Sequence, residues 1–123
     1  MAVADPSSTL DTVTRFGDAL NRGDVAAIAA LLTDDTIFEN TGPAPDGTRV
    51  EGRDAVAAHW ARWIAANPGA HIGTEEAVVA GDRCTVCWVY RKVRDGQPWH
   101  LRGIDLFTVR DGKIAEKRSY VKG

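Results

Sequence analysis

The second half of the chain alternates apolar and polar residues in four runs that are joined by very short connections. The runs lie near residues 71–79, 83–94, 98–110 and 113–122. Their connections are "AGD", "RDGQ" and "RDGK". An Asp-Gly pair between such runs is typical of a β-hairpin, because both residues tolerate a positive φ angle. The pattern therefore predicts a four-stranded antiparallel meander.

The first half has a helical period instead. In "SSTLDTVTRFGDALNRGD" the apolar residues fall on one helical stripe, which consists of Leu10, Val13, Phe16 and Leu20. Ser8 with Asp11 resembles a capping box at its start. Asp24 is placed to cap a second, short helix in "VAAIAALL".

A strand and a third helix are predicted between these two halves. The strand is "TIFENT", and the loop "GPAPDGT" follows it, because its Pro and Gly residues favour turns. The helix runs from about Asp54 to Ala66, before "NPG". Its apolar stripe consists of Val56, Trp60, Trp63 and Ile64.

Helices followed by strands predict an α+β domain in which three helices cover one face of a bent sheet. The chain has 123 residues, which is about the size of one domain, so residues 1–123 are predicted to form a single unit. The start "MAVADPSSTL" lacks the basic and apolar regions of a signal peptide. No run approaches the roughly 20 apolar residues of a membrane span. We therefore expect a cytoplasmic protein with no membrane partner.

The charge is distributed unevenly along the chain. Residues 1–82 contain 5 basic and 13 acidic side chains, whereas residues 83–123 contain 10 basic and 4 acidic ones. The basic residues are dispersed along the predicted strands instead of forming one patch. We expect them to be solvated or to lie at an interface, and expect no nucleic-acid partner.

Two cysteines and two of the three histidines are candidates for metal binding or redox chemistry. Cys84 and Cys87 lie three residues apart in a predicted strand, which places their side chains on opposite faces. His71 and His100 belong to different strands, and no third ligand is apparent near them. The sequence thus predicts packed thiols, no metal site and no cofactor.

One carboxylate interrupts the apolar face of the meander. If side chains alternate between faces, Asp105 shares a face with Trp88 and Phe107. A carboxylate in buried sheet is either neutralised by a partner or retained for chemistry. The candidate partners for an internal ion pair are Arg102, Lys117 and Arg118. The residues themselves leave both interpretations open.

The opposite face of the sheet is also apolar. Ile104 and Leu106 lie there by parity, together with Val89 on the preceding strand. An apolar sheet face of this size is rarely left in contact with water. We therefore predict a homodimer that forms through the outer face of the sheet.

The whole arrangement resembles the nuclear-transport-factor-2-like superfamily, and within it the SnoaL-like group that is related to polyketide cyclases. The most specific segments are "FENTGPAPDGTRVEGRDAV" and "GIDLFTVRDGKIAE". The resemblance implies a cystatin-like cone with an apolar cavity at its open end, commonly dimeric through the outer face of the sheet. Many members are cofactor-independent enzymes that act on hydrophobic metabolites.

The resemblance also implies a role for Asp105. SnoaL-like cyclases use an aspartate as acid/base, and Asp105 in "GIDLF" matches that position. Desolvation in an apolar cone disfavours the charged carboxylate, which suits it to moving protons.

Two better-defined relatives match less well. Ketosteroid isomerases use a tyrosine, an aspartate base and a second acid, and the residues at these positions are Phe16, Asn40 and Arg102. Limonene epoxide hydrolases use an Asp-Arg-Asp set with a tyrosine and an asparagine. The residues matching that set are Trp88, Val86 and Ser119, with Phe38 and Asn40 at the other two positions. Neither mechanism is expected with its usual residues.

The remaining candidates describe a pocket. Asn40 is predicted to assist Asp105 by polarising a bound oxygen, a role that the Tyr90 hydroxyl could also take. The predicted ligand-binding residues are Phe16, Phe38, His59, Trp60, Trp63, Trp88, Tyr90, Phe107 and Ser119. Aromatic residues at these spacings also serve as core packing, a strand-end asparagine also caps turns, and a helix histidine can be merely surface-exposed.

The sequence accordingly predicts a cofactor-independent acid/base enzyme of isomerase, cyclase or dehydratase type that acts on a hydrophobic metabolite. The alternative is a non-catalytic ligand-binding or accessory domain. An epoxide hydrolase is a third and weaker alternative, because most of its residues are missing.

Overall fold

The protein is described from a computed structural model that covers residues 5–123. Three helices precede or interrupt the strands: α1 (Pro6–Asn21), α2 (Val25–Ala30) and α3 (Arg53–Ala66). Six strands form one sheet: β1 (Leu32–Glu39), β2 (Arg49–Glu51), β3 (His71–Ala80), β4 (Arg83–Arg94), β5 (Gln97–Arg110) and β6 (Lys113–Val121). The predicted α+β class, with three helices on a bent sheet, is confirmed.

The starts of α1 and α2 are set by aspartates. Asp24 caps α2 as predicted, since its Oδ1 accepts a hydrogen bond from the amide of Ala27 over 3.0 Å. The capping box predicted at Ser8 is wrong. Helix α1 begins three residues earlier, where Asp5 accepts from the amide of Ser7 and Pro6 takes the first helical position. Proline suits that position because its missing N–H would be unpaired there in any case.

The sheet has the strand order β2-β1-β6-β5-β4-β3. Strands β3 to β6 form the predicted antiparallel meander. The sheet as a whole is mixed, because β1 runs parallel to β6. The short strand β2 was not predicted; it follows the Pro/Gly-rich loop and pairs with the end of β1.

The pairing registers confirm the predicted inner face and add an irregularity to it. Val86 lies opposite Asp105, so the two side chains share one face of the sheet. On β6 the residue Ala115 is an extra one, because Ile114 pairs with Val109 and Glu116 pairs with the adjacent Thr108. Such a bulge shifts the side-chain alternation of every later residue on the strand.

Helix α1 covers the concave side of the sheet and is fastened at both ends. Thr9 and Thr12 donate hydroxyl hydrogen bonds to carbonyls in the β3–β4 and β5–β6 turns over 2.7 and 3.2 Å. Near the other end of the helix, Asn21 exchanges two hydrogen bonds with the backbone of Ile72 over 2.8 and 2.9 Å. These contacts fix the helix over the space that contains Asp105.

The core lies between the helices and this concave face. Its largest fully buried apolar side chains are Phe38, Ile28, Leu32, Ile114 and Val56. Within residues 5–123, none of the helices combines the length and the apolar run that crossing a bilayer requires.

On the outer face of the sheet, one residue predicted to contact a second subunit is buried already in the single chain. Ile104 remains 36% exposed, whereas Val89 is already buried within the single chain. Val89 lies between Arg102 on β5 and a residue of β3. Arg102 reaches across β4 to Glu75 on β3 in an ion pair of 2.9 Å, which covers Val89. Val89 therefore cannot be a main contact of the predicted dimer.

Candidate functional site

Asp105 lies on the inner face of β5 and is 13% exposed through its side chain. The indole nitrogen Nε1 of Trp88, on β4, donates a buried hydrogen bond of 2.9 Å to its Oδ1. The second carboxylate oxygen, Oδ2, faces β6. The side chain is thus held in the interior of the cone and away from bulk solvent.

The partner on β6 is Lys117. Its Nζ lies 3.7 Å from Oδ2 of Asp105, and its side chain is only 5% exposed. It also donates a hydrogen bond of 2.7 Å to the hydroxyl of Ser119. The ion-pair interpretation therefore describes the setting of Asp105, and Lys117 is the partner among the three basic candidates.

Two aromatic rings pack against this ammonium group. Nζ of Lys117 lies 5.2 Å from the ring centroid of Phe38 and 5.1 Å from that of Trp60. Burial lowers the pKa of Lys117 below its ordinary value, and the neighbouring charge of Asp105 opposes this effect without cancelling it. The lysine is therefore easier to deprotonate than one in water.

The pair opens onto a cavity of about 720 Å³. Of the residues predicted for the site, those that line it are Asp105, Asn40, Phe16, His59, Trp60, Trp63, Trp88, Tyr90, Phe107 and Ser119. Lys117 lines it as well. Phe38 is fully buried and does not belong to the wall, because it lies behind Lys117 and packs edge-on against Phe16 and Trp60.

Two N–H donors at this cavity have no hydrogen-bond partner among the described residues. They are Nδ2 of Asn40, which follows the end of β1, and Nε1 of Trp60 on α3. Buried donors are normally paired, and leaving one unpaired costs roughly 1 to 3 kcal/mol. Both belong to residues of the cavity wall, so an acceptor oxygen of a bound molecule could satisfy either donor after that side chain turns towards the cavity.

The Tyr90 hydroxyl is positioned differently from the prediction. It donates a hydrogen bond of 3.0 Å to Oδ1 of Asn67, the residue that ends α3. Lys92 approaches the same oxygen at 3.3 Å. Because the Tyr90 hydroxyl already donates its hydrogen bond to Asn67, Tyr90 forms part of the wall and is not a free donor for polarising a ligand.

His59 lies half-buried on α3, with its ring 5.2 Å from that of Trp60. Burial lowers the pKa of His59, and the positive charges of Lys117 and Arg62 lower it further. The imidazole is therefore neutral at pH 7 and can accept a proton or a hydrogen bond at the cavity.

No three His, Cys, Asp or Glu side chains within residues 5–123 are grouped as a metal site would need. Cys84 is buried and Cys87 is half-buried, and both are free thiols.

Comparisons with known proteins agree with this fold. The family model described as a SnoaL-like domain matches residues 13–117. The chain belongs to the SnoaL-like family.

Solved structures place this SnoaL-like protein among nuclear-transport-factor-2-like folds. A nuclear-transport-factor-2-like protein of unknown function from Mesorhizobium loti is 38% identical, with a TM-score of 0.85, and the match covers 100% of this chain and 98% of that one. A candidate polyketide cyclase from Sinorhizobium meliloti is 25% identical with a TM-score of 0.74, covering 89% and 94%. An epoxide hydrolase of limonene-epoxide-hydrolase type from M. tuberculosis is 21% identical with a TM-score of 0.80, covering 95% and 84%.

The sequence did not predict the observed roles of two residues of this SnoaL-like site. Lys117 was predicted as an ion-pair candidate but not as a wall of the cavity. Asn67, which holds Tyr90, was not predicted at all. The sequence pointed to Lys117 only through its position on a strand that flanks Asp105. Counting alternate residues from the buried Ile114 would have placed its side chain on the outer face.

Proposed function

We propose that this SnoaL-like protein is a cofactor-independent acid/base enzyme that moves a proton on a hydrophobic small molecule bearing a carbonyl or hydroxyl oxygen. The observation that carries the proposal is the buried pair of Asp105 and Lys117, whose charged atoms lie 3.7 Å apart beside the cavity. In this role Asp105 accepts the proton, and Lys117 stabilises the negative charge that develops on oxygen.

The separation of the two groups supports this division of roles. At 3.7 Å the ammonium and the carboxylate attract each other, but they are too far apart for a normal hydrogen bond. An oxygen of a bound molecule can therefore take the N–H of Lys117 without first breaking a tight contact. In a water-poor site, such preorganised charges stabilise a developing oxyanion more strongly than they would in water.

The unpaired donors support an oxygen-bearing ligand. Asn40 and Trp60 belong to the wall of the same cavity as Lys117, and their buried nitrogens Nδ2 and Nε1 have no acceptor within the described chain. An apolar molecule would leave both donors unsatisfied, whereas a carbonyl or hydroxyl oxygen would pair at least one of them.

The walls support a hydrophobic metabolite. Trp60, Trp63 and Phe107 contribute flat apolar surface, and a volume of about 720 Å³ lies within the usual range of roughly 300 to 1,000 Å³ for small-molecule sites. A molecule of a few fused rings or an extended acyl chain fits such a space.

The test needs no knowledge of the natural substrate. The ketone 2-tetralone is a hydrophobic carbon acid, and in D₂O the loss of its α-proton NMR signal reports proton abstraction. We expect the protein to accelerate this exchange above the buffer rate, and Asp105→Asn to remove the acceleration. Lys113→Met, a change of an exposed lysine on the same strand as Lys117, is the matched control and should keep it.

A non-catalytic binding protein is the second candidate, and one observation favours it. The two carboxylate oxygens of Asp105 already face donors, Oδ1 facing Trp88 and Oδ2 facing Lys117. Quenching of tryptophan fluorescence by 2-tetralone, together with exchange at the buffer rate, would support binding without catalysis. Exchange at the buffer rate across a panel of cyclic ketones would contradict the enzyme proposal.

A further inference from the structure

We infer that Lys117 is a nucleophilic amine that forms a protonated imine with an aldehyde or ketone carbon held in the cavity. The inference rests on the proposed function for the cavity as the ligand site, and it deepens that function by naming carbonyl compounds as the substrate class. It also gives Lys117 a covalent role that charge stabilisation alone does not require.

The first support is the position of the amine. Lys117 is the single lysine among the described residues that forms part of the cavity wall, and its side chain is 5% exposed. The other lysines, Lys92, Lys113 and Lys122, contribute no wall to this cavity. A molecule in the cavity therefore encounters the amine of Lys117.

The second support is the set of groups around Nζ. The hydroxyl of Ser119 accepts one of its hydrogen bonds over 2.7 Å, and the carboxylate of Asp105 lies 3.7 Å away. The carboxylate is thus near enough to exchange a proton after a small side-chain movement, but it does not hold the nitrogen in a tight hydrogen bond. A nucleophilic lysine needs this combination of a nearby base and an accessible lone pair.

The third support is electrostatic. A lysine attacks a carbonyl only as the neutral amine, and burial lowers the pKa of Lys117. Asp105 and the rings of Phe38 and Trp60 favour the charged form, while His59 faces the group as a neutral imidazole. The net direction is downward, so the neutral amine is more abundant here than on an exposed lysine.

Imine formation needs only the proton donors and acceptors that are present at the site. The ammonium of Lys117 gives one proton to Asp105, and the neutral amine then bonds to the carbonyl carbon while a proton passes from nitrogen to oxygen. Asp105 returns its proton to the resulting hydroxyl, which leaves as water as the C–N double bond forms. One carbonyl and one ammonium thus give one protonated imine and one water. The carboxylate then faces an acidified α-carbon, where it can act as the proton acceptor of the proposed reaction.

The test is reductive trapping on the wild-type protein. The folded chain is incubated with 3-phenylpropanal and cyanoborohydride, and the rate of alkylation at each lysine is measured by peptide mass spectrometry. Alkylated Lys117 resists trypsin, so the peptide 114–118 reports its reaction. We expect Lys117 to be alkylated several-fold faster than Lys113 in the folded protein, and at a similar rate in concentrated urea. If folding makes Lys117 the slowest lysine instead, the inference is overturned.

A second variant separates this inference from the proposed function. Lys117→Arg keeps a cation beside Asp105 but cannot form an imine. Loss of 2-tetralone exchange in this variant, with selective trapping in the wild type, supports the covalent route. Retained exchange in the variant, without trapping in the wild type, overturns the imine and leaves the acid/base proposal intact. Selective trapping without exchange in the wild type would retain the imine and contradict the proposed proton transfer.

Discussion

The indole of Trp88 lies over Gly103, its partner across strands β4 and β5. A Cβ added at Gly103 would come within 2.6 Å of Cη2 of this indole and would overlap the carbonyl oxygen of Tyr120. The missing side chain therefore leaves the space from which Nε1 of Trp88 donates to Asp105. The carboxylate at the cavity is positioned partly by a residue that does not touch it.

Gly103→Ala should displace Trp88 and weaken the fold. Overpacking of this kind typically costs about 1 to 3 kcal/mol. Here one obstacle is backbone, which cannot rotate away, so we expect the upper part of that range. Urea unfolding gives the free energy, and a shift of tryptophan emission in the native state reports the displaced indole.

Gly17→Ala is the matched control for that change. Gly17 lies inside helix α1, and an added Cβ there meets nothing within 4 Å. Alanine is favoured over glycine in a helix interior by roughly 0.5 to 1 kcal/mol, so this variant should be more stable than the wild type. Equal stabilities for the two variants would show that the space over Gly103 does not matter.

Asp105→Asn should destabilise the fold because it leaves the ammonium of Lys117 buried without its counter-charge. Removing one member of a buried pair costs roughly 3 to 5 kcal/mol, and the remaining bond to Ser119 favours the lower end. Asp105→Asn with Lys117→Met should recover most of the loss, since no charge then remains buried. Denaturant unfolding of the single and double variants measures both values.

Asp82→Asn provides the comparison, since Asp82 is exposed and its change should stay within about 0.5 kcal/mol of the wild type. A wild-type stability for Asp105→Asn would mean that the pair contributes nothing to the fold. Asp105 would then be retained for function alone.

The lowered pKa of Lys117 should appear as a pH-dependent stability. Because the folded pKa lies below the unfolded value of about 10.5, the unfolded chain binds more protons between the two values. Stability therefore rises with pH across that window, as the folded state loses the penalty of a buried ammonium. Relative to Lys117→Met, the wild type should gain stability as the pH is raised from neutral towards 10.5. The difference in stability between the wild type and Lys113→Met should not change with pH in this way, because both proteins retain Lys117.

The homodimer stays a prediction, now with a reduced contact set. Ile104 and Tyr120 pair across β5 and β6 and are 36% and 49% exposed, so they replace Val89 as the expected centre of the interface. We expect sedimentation to show a dimer at micromolar concentration and Ile104→Glu to give monomers. The exposed Val93→Glu, at the far end of β4, should not change the mass. A monomeric wild type would contradict the prediction.

The sequence by itself determined the three helices, strand β1 and the meander with its inner face, but not the short strand β2. Asp-Gly turns and a two-residue period are local properties, so the order of residues alone predicts β3 to β6 and places Asp105 on one face with Trp88 and Phe107. The helix caps were harder to predict, because several polar residues near a helix start can each act as the N-cap. Asp5 prevailed over Ser8 through the proline that follows it.

The partner of Asp105 was decided by tertiary structure. Counting in steps of two from the buried Ile114 would turn Arg118 inward, but the extra residue Ala115 reverses the alternation and brings in Lys117. A bulge depends on pairing with neighbouring strands, and the residues within β6 do not encode it visibly. The low dielectric that alters the chemistry of this lysine likewise arises from side chains distant in sequence, such as Phe38 and Trp60. Burial is a property of the assembled cone, and no single segment of the chain contains it.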